Sequence, residues 1–192
     1  MIAILKYNAG NIKSVENAIN RLGFDCIVTD DKMKIISADK VIFPGVGEAS
    51  SAMAYLKKYQ LDEVILGLKH PVLGICLGQQ LMCNHSEEQN TDCLGIFNTT
   101  VKKFPDMDIV PHMGWNSLYE LKGPLLKGIT EEETVYFVHS YYAAISEETS
   151  AKCDYILPFS AAMQKDNFYG TQFHPEKSAS VGEKILKNFL EL

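Results

Sequence analysis

The sequence lacks the cysteine spacing that disulfide frameworks and zinc sites require. It contains five cysteines, an odd number, and no two of them form a C-x-x-C pair. Small secreted domains usually carry even sets of paired cysteines, and structural zinc sites use closely spaced ligand pairs. We therefore expect free thiols, no metal and a reducing, cytoplasmic environment.

Long apolar runs and an excess of positive charge are also missing. No apolar stretch approaches the roughly 20 residues that a membrane-spanning helix needs, so we expect no membrane segment. The formal net charge is −6 at pH 7, from 18 Lys and Arg against 24 Asp and Glu. Nucleic-acid binders usually carry a basic patch, so this balance argues against nucleic acid as a partner.

The composition is that of a folded globular protein. Hydrophobic residues make up 46% of the 192 residues and charged residues 22%. A chain of this length buries enough surface to fold without covalent or metal links, and it shows no repeat, linker or low-complexity tract. We expect a single domain over residues 1–192.

Short apolar runs alternate with amphipathic segments in the first half of the chain. This alternation predicts a parallel sheet with helices on both faces. The predicted strands span residues 2–5, 26–28, 40–43 and 71–75, and the predicted helices span residues 11–22, 49–59, 61–68 and 77–84.

Closely spaced strand-like segments fill most of the second half. They predict antiparallel hairpins that extend the parallel sheet, giving a mixed α/β fold of the flavodoxin-like kind. A final helix over residues 182–190 has Ile185, Leu186 and Phe189 on one face. The predicted strands span residues 99–104, 117–121, 135–144, 152–156, 161–164 and 169–173.

Cys76 lies where a predicted buried strand runs directly into a helix. Gly74 and Gly78 flank it two residues away on either side, which is the pattern of a nucleophile elbow with Cys in place of Ser. The following helix N-terminus favours a thiolate. The alternative is a buried structural thiol, an interpretation that fits Cys83 and Cys153.

A nucleophilic cysteine needs a base, and His174 is the histidine with an acidic neighbour. In an extended segment, residues two apart point to the same side, so His174 and Glu176 should point together with Pro175 turned away. A carboxylate beside an imidazole fixes its tautomer and orientation. The other histidines suit packing, for His139, or the surface, for His70 and His85.

Glycines at positions 45 and 47 follow a predicted strand and precede a helix. Glycine lets the backbone approach a ligand closely and turn an N–H inward, as an oxyanion donor must. A plain strand–helix turn is the alternative. A phosphate-binding loop fits poorly because no Gly-Lys-Ser/Thr sequence follows.

Together these motifs resemble the class I, or triad, glutamine amidotransferases. The resemblance rests on Gly74–Gln80 and Phe173–Glu176, and Pro44–Gly47 resembles the oxyanion strand of that family. It covers Ile2 to Leu190. It implies an enzyme in which Cys76 attacks the amide of glutamine, His174 transfers the proton and Glu176 orients His174, without a cofactor.

The resemblance also implies where the substrate binds. It assigns the oxyanion and substrate contacts to Gly45, Val46, Gly47 and Leu77, to the Gln80 amide one helical turn past the nucleophile, and to the backbone of Ser140 and Tyr141. The expected products are glutamate and ammonia.

Three further segments, residues 9–14, 110–116 and 136–142, resemble the glutaminase subunits of histidine biosynthesis. Members of that group pass ammonia to a separate (β/α)8 cyclase subunit, which is therefore the expected partner in a heterodimer. The implied interface includes Asn11, Trp115, Asn116 and Tyr136. A core position is the alternative for Trp115.

Three other functions remain open on sequence alone. The chain could be a paralogous glutaminase that supplies a different synthase, such as one of a surface-sugar pathway. It could be a cysteine peptidase or hydratase on a similar scaffold. It could also be a non-catalytic protein that only binds a barrel, although Cys76, His174 and Glu176 would then have no chemical use.

Overall fold

The computed structural model describes residues 1–8 and 10–192; Ala9, from the segment of residues 9–14, lies outside the described residues. The described strands are β1 (Ile2–Leu5), β2 (Cys26–Thr29), β3 (Lys40–Gly45), β4 (Val72–Cys76), β5 (Cys83–Ser86), β6 (Thr91–Asp92), β7 (Phe97–Lys103), β8 (His112–Ser117), β9 (Thr134–His139), β10 (Tyr141–Ala143), β11 (Thr149–Tyr155), β12 (Leu157–Lys165) and β13 (Phe168–Thr171). The α-helices are α1 (Ile12–Arg21), α2 (Lys32–Ile36), α3 (Ala49–Lys58), α4 (Leu61–Gly67), α5 (Leu77–Leu81) and α6 (Ala179–Leu190). Pro124–Leu126 and Pro175–Lys177 form short 3-10 turns.

The central sheet has the strand order β11-β12-β13-β4-β3-β1-β2 among the described residues. The pairs from β13 to β2 are parallel, whereas β11 and β12 add an antiparallel edge. This arrangement confirms the predicted mixed α/β fold. Smaller sheets, β10-β7-β5-β6 and the β8–β9 hairpin, lie beside it.

The two faces of the central sheet carry separate cores, and β1 shows the division. Ile2 and Ile4 belong to the core that includes α1 and α6, while Ala3 and Leu5 belong to the core that includes α3 and α4. Successive strand residues point to opposite faces, so a strand covered on both faces is apolar throughout. No helix in the described part of the chain has the length and apolar character to span a bilayer.

The predicted helix over residues 77–84 is wrong at its C-terminal end, because α5 stops at Leu81. The backbone N–H of Leu94 donates to the Leu81 carbonyl at 2.9 Å, and that of Ile96 donates to the Met82 carbonyl at 2.8 Å. These bonds from the segment before β7 occupy the carbonyl of the last residue of α5 and that of the residue after it. Cys83, placed by sequence on the helix, therefore begins β5 and is fully buried there.

The predicted strand over residues 135–144 is in fact two strands that break at Ser140. β9 pairs with β8, and β10 pairs with β7 in another sheet. The strand predicted over residues 117–121 is displaced, since β8 ends at Ser117. Sequence analysis also missed α2, although its Asp31 cap accepts bonds from the N–H groups of Met33 and Lys34.

Helix α6 crosses the Pro175–Lys177 turn very closely at Gly182. A Cβ atom at position 182 would lie 1.8 Å from the Pro175 carbonyl oxygen. The turn is also tied to β9, because the Tyr136 N–H donates to Ser178 Oγ at 2.9 Å. Gly182 therefore sets how near α6 can pack to this turn.

We predict that Gly182→Ala lowers the free energy of unfolding by about 1–3 kcal/mol, the usual cost of overpacking. Gly67→Ala is the matched control, since a Cβ there meets no atom of the described residues within 4 Å. It should leave stability unchanged or raise it by up to ~1 kcal/mol. Urea unfolding followed by circular dichroism measures both, and equal losses would contradict the packing argument.

Candidate active site

Cys76 is the last residue of β4 and directly precedes α5, and its backbone is strained. Its φ is 53° and its ψ −107°, a conformation that costs a non-glycine residue on the order of 1–3 kcal/mol. The flanking glycines make this turn feasible. A Cβ at Gly78 would lie 1.9 Å from the Phe43 carbonyl oxygen, and one at Gly74 2.7 Å from the Gly78 carbonyl carbon. The predicted elbow geometry is confirmed.

His174 and Glu176 meet across the Pro175–Lys177 turn. His174 Nδ1 lies 2.8 Å from Glu176 Oε1, and both side chains are buried. The expected extended segment is wrong, because the chain turns after His174 rather than continuing as a strand. The turn nevertheless brings the two groups together as the sequence predicted.

The surroundings of His174 favour its protonated form. Burial alone lowers the pKa of this imidazole, but the negative charge of Cys76 and the Glu176 carboxylate outweigh burial and raise the pKa to about 10. Because Nδ1 faces Glu176, Nε2 is the nitrogen available to a reacting group. It is buried and has no hydrogen-bond partner among residues 1–8 and 10–192. This arrangement suits a thiolate–imidazolium pair.

Asn11 lies beside this pair, although the resemblance placed it at the partner interface. Its side-chain amide donates to Glu176 Oε1 and lies 3.5 Å from His174 Nδ1. The half-buried amide therefore contacts the carboxylate that holds His174. The residue precedes α1 in a left-handed conformation, with φ of 70°.

The stretch from Gly45 to Gly47 runs past the nucleophile at the end of β3. Gly45 pairs with Cys76 across β3 and β4, and a Cβ at this position would lie 2.2 Å from the Tyr7 hydroxyl oxygen. The Val46 carbonyl accepts a hydrogen bond from the Gly10 N–H at 3.2 Å. Since the peptide bond is trans, the Gly47 N–H points to the side opposite Gly10.

A cavity of about 320 Å³ opens beside Cys76. Ligand pockets typically measure about 300–1,000 Å³, so this one suits a small metabolite. Residues 1–8 and 10–192 hold no cluster of His, Cys, Asp or Glu that could bind a metal. Six residues predicted for the oxyanion and the substrate line the cavity: Val46, Gly47, Leu77, Gln80, Ser140 and Tyr141.

Two functional candidates escaped the sequence analysis. Glu88 lines the cavity and supplies a carboxylate there, with Oε2 accepting the Ala49 N–H at 2.7 Å. Gln172 is fully buried, and its Nε2 lies 3.6 Å from Cys76 Sγ. A polar residue within the apolar stretch of residues 169–173 was an available signal for Gln172, but nothing in the sequence distinguishes Glu88.

A buried pair of histidines lies beside the cavity, and one of them, His139, lines it. His139 Nδ1 lies 2.7 Å from the Tyr141 carbonyl oxygen, and its Nε2 lies 3.0 Å from His112 Nδ1. A carbonyl only accepts, so Nδ1 of His139 carries the proton and Nε2 of the neutral ring accepts from His112. Burial lowers the pKa of His139 to about 3 and that of His112 to about 4. His139 packs on Phe104, as predicted, but it also carries this bond.

We predict that acidification from pH 7 to pH 5.5 lowers the free energy of unfolding by roughly 2 kcal/mol, because the unfolded chain protonates both histidines near pH 6.5 and the folded chain does not. The raised pKa of His174 has the opposite effect on stability. Its stabilising contribution is complete below pH 6.5 and is lost as the pH rises towards 10. Urea unfolding across this pH range measures the change.

Nitrogen-15 spectra of labelled histidine provide the direct check. At pH 5.5, His112 and His139 should both be neutral and protonated on Nδ1. Imidazolium signals from both residues at that pH would contradict the assignment.

The β8–β9 hairpin carries an aromatic pair, the exposed Trp115 and the half-buried Tyr136. Trp115 is 54% exposed and packs edge-on against Tyr136, with ring centroids 5.9 Å apart, so the core alternative for Trp115 is wrong. The Asn116 side chain turns inward instead and donates to the Asp154 carbonyl at 3.0 Å. Of the four residues predicted for the interface, Trp115 and Tyr136 form one surface, whereas Asn11 and Asn116 have partners within the chain.

Comparison with known sequences identifies the family of the chain. The model of the family "Glutamine amidotransferase class-I" matches residues 3–192. A Bacteroides fragilis protein named imidazole glycerol phosphate synthase subunit HisH is 61% identical over 194 residues, which cover 100% of this chain and 99% of that protein. An Escherichia coli (strain K12) protein of the same name is 46% identical over 194 residues, which again cover 100% of this chain and 99% of that protein.

Solved structures share the fold at low identity. A putative GMP synthase protein from Thermoplasma acidophilum has a TM-score of 0.77 at 20% identity, covering 100% of this chain and 92% of that one. A structure titled glutamine amidotransferase also has a TM-score of 0.77, at 18% identity, covering 99% of this chain and 97% of that one. Because the family match spans nearly all of the sequence, the chain belongs to the class-I glutamine amidotransferase family.

Proposed function

We propose that this chain is the glutaminase subunit of imidazole glycerol phosphate synthase. It hydrolyses L-glutamine to glutamate and ammonia and passes the ammonia to a separate (β/α)8 cyclase subunit. That subunit uses the ammonia to form imidazole glycerol phosphate and an aminoimidazole carboxamide ribotide in histidine biosynthesis. The observation that carries the proposal is the strained Cys76 beside a small cavity, with the buried His174–Glu176 pair. The names of the sequence relatives support the choice of synthase.

The first half of the reaction forms a thioester. The Cys76 thiolate attacks the side-chain amide carbon of glutamine, and the amide oxygen becomes an oxyanion. Backbone N–H groups of the Gly45–Gly47 stretch and of Leu77 stabilise that charge. His174 then donates its Nε2 proton to the amide nitrogen, the C–N bond breaks, and ammonia leaves from a γ-glutamyl thioester on Cys76.

The second half releases glutamate. His174, now neutral at Nε2, takes a proton from water as the water oxygen attacks the thioester carbon. The C–S bond breaks, glutamate departs, and the thiolate–imidazolium pair is restored. Glu176 holds Nδ1 throughout, so that Nε2 faces the reacting atoms and the imidazolium is stabilised.

The cavity lining suits the two ends of an amino acid. The backbone of Ser140 and Tyr141 and the Gln80 side chain offer polar groups close to the nucleophile. Glu88 adds a carboxylate, which matches the positive charge of an α-ammonium group. We propose that these four residues hold the substrate while its side chain points to Cys76.

We propose further that residues 1–192 form one domain and that the exposed hairpin faces the cyclase. Pairing of β13 with β4 joins the C-terminal half to the N-terminal half and supports the single domain. Exposed Trp115, with half-buried Tyr136 packed against it, offers the aromatic surface that interfaces favour. Five free thiols suit a reducing cytoplasm, and the thiol chemistry needs no cofactor.

We predict that Cys76→Ala lowers glutamine-dependent synthesis by the complex at least about 10⁴-fold, because the sole nucleophile is removed. Synthesis from added ammonium salts should persist, since the cyclase is intact. Both are followed as formation of imidazole glycerol phosphate after co-purification with the cyclase.

Cys83→Ala is the matched control, because Cys83 is buried in β5 and does not line the cavity. It should keep glutaminase activity and lose stability. Glutamate release by Cys76→Ala at the wild-type rate would overturn the proposed nucleophile. Release of glutamate from glutamine by the wild-type complex, without formation of imidazole glycerol phosphate from this cyclase's substrate, would instead indicate a paralogous synthase.

A further inference from the structure

A buried side chain that the mechanism above does not use, Gln172, contacts the nucleophile itself. It follows β13, two residues before His174, and is fully buried. Its Nε2 lies 3.6 Å from Cys76 Sγ, within hydrogen-bond range for sulfur. Resting on the proposed function, we propose that Gln172 is a further catalytic residue, whose amide N–H donates to the Cys76 thiolate, stabilises it and fixes its direction.

The orientation of the Gln172 amide follows from its neighbours. The Tyr141 carbonyl can only accept, so the Gln80 atom 2.9 Å from it must be the amide nitrogen. That nitrogen has a second hydrogen and donates it to Gln172, also at 2.9 Å. The Gln172 atom facing Gln80 is therefore oxygen, and the atom facing Cys76 Sγ is the N–H donor.

The start of this chain of hydrogen bonds is itself held in place. The Tyr141 carbonyl also accepts the Nδ1–H of His139 at 2.7 Å, and His139 is held in turn by His112. Two donors therefore fix the carbonyl that orients Gln80. A flip of either glutamine amide would set oxygen against oxygen or nitrogen against nitrogen in a buried site, which is costly.

A donor aimed at sulfur favours the charged form over the thiol. Hydrogen bonds to an ionised acceptor are about twice as strong as neutral ones, so the N–H contributes mainly when Cys76 is a thiolate. The helix after Cys76 has only five residues. A direct hydrogen-bond donor is therefore a more specific source of stabilisation for the thiolate than the N-terminus of this helix. A role confined to packing would give no such preference.

The test compares Gln172→Met and Gln172→Glu with the wild-type chain. Methionine keeps the length of the side chain and removes the donor. Glutamate keeps the shape and the acceptor for Gln80, but it turns an oxygen towards sulfur. Gln79→Met is the matched control, because Gln79 is an equally buried amide on α5 whose nitrogen donates to the Ser160 carbonyl.

The main readout is the rate of Cys76 alkylation by iodoacetamide against pH, followed by mass spectrometry of the peptide that carries Cys76. This rate reports thiolate and needs no glutaminase activity, so its result is separate from the test of the proposed function. Gln172→Met should react about tenfold more slowly than wild type at pH 6, with the curve moved to higher pH, and Gln172→Glu more slowly still. Gln79→Met should follow the wild-type curve.

In the complex, Gln172→Met should also lower kcat for glutamine about tenfold with little change in KM. Circular dichroism checks that each variant is folded. If Gln172→Met is not folded, the comparison rests on Gln172→Glu alone, because that variant preserves the shape of the side chain. Alkylation curves that superimpose on wild type for the folded Gln172 variants would overturn the proposal, as would an equal shift in Gln79→Met.

Discussion

The junction between β4 and α5 contains no connecting loop, so Cys76 alone must turn the chain, with φ of 53° and ψ of −107°. This turn requires the backbone of α5 to pass within contact of β3, and the missing Cβ of Gly78 beside the Phe43 carbonyl permits it. The strain is compensated by the surrounding sheet, since every residue of β4 is buried. The thiol consequently stands at the carboxyl end of the sheet and borders the cavity.

His174 is positioned by a different element, the Pro175–Lys177 turn before α6. The His174 N–H donates to the Tyr136 carbonyl at 2.9 Å, and Ser178 Oγ donates to the His174 carbonyl at 2.7 Å. β9 therefore sets the position of the imidazole, while Gly182 sets the packing of α6 on the same turn. Because Tyr136 also packs against exposed Trp115, the backbone that holds His174 is continuous with the surface proposed to face the cyclase.

The parts of the site that depend on neighbours in the chain were predictable, and those that depend on distant partners were not. Glycines around Cys76 and the pairing of His174 with Glu176 are local patterns, so the sequence indicated both. The chain breaks at Ser140 because β9 and β10 pair in two different sheets and the His139 ring bonds to the Tyr141 carbonyl. No local sequence pattern indicates either contact. The early end of α5 has the same origin, since its carbonyls bond to residues 94–96.

Residues that act through long-range hydrogen bonds were also misplaced or missed. Asn11 resembles an interface residue in sequence, yet 165 positions separate it from the carboxylate that it contacts. Gln172 was included in the strand predicted over residues 169–173 and was given no role of its own. Its link to Cys76 exists only after β13 has paired with β4, so the sequence could mark Gln172 as a polar residue in that stretch but could not show the contact with Cys76.

The central claim is that Cys76 is the one thiol that reacts with the side chain of bound glutamine. Incubation of the complex with a diazoketone analogue of glutamine, followed by peptide mass spectrometry, tests this claim most directly. We predict a single adduct on the peptide that carries Cys76, formed more slowly when L-glutamine is in excess. An adduct on another cysteine, or labelling of Cys76 that L-glutamine does not slow, would contradict the account.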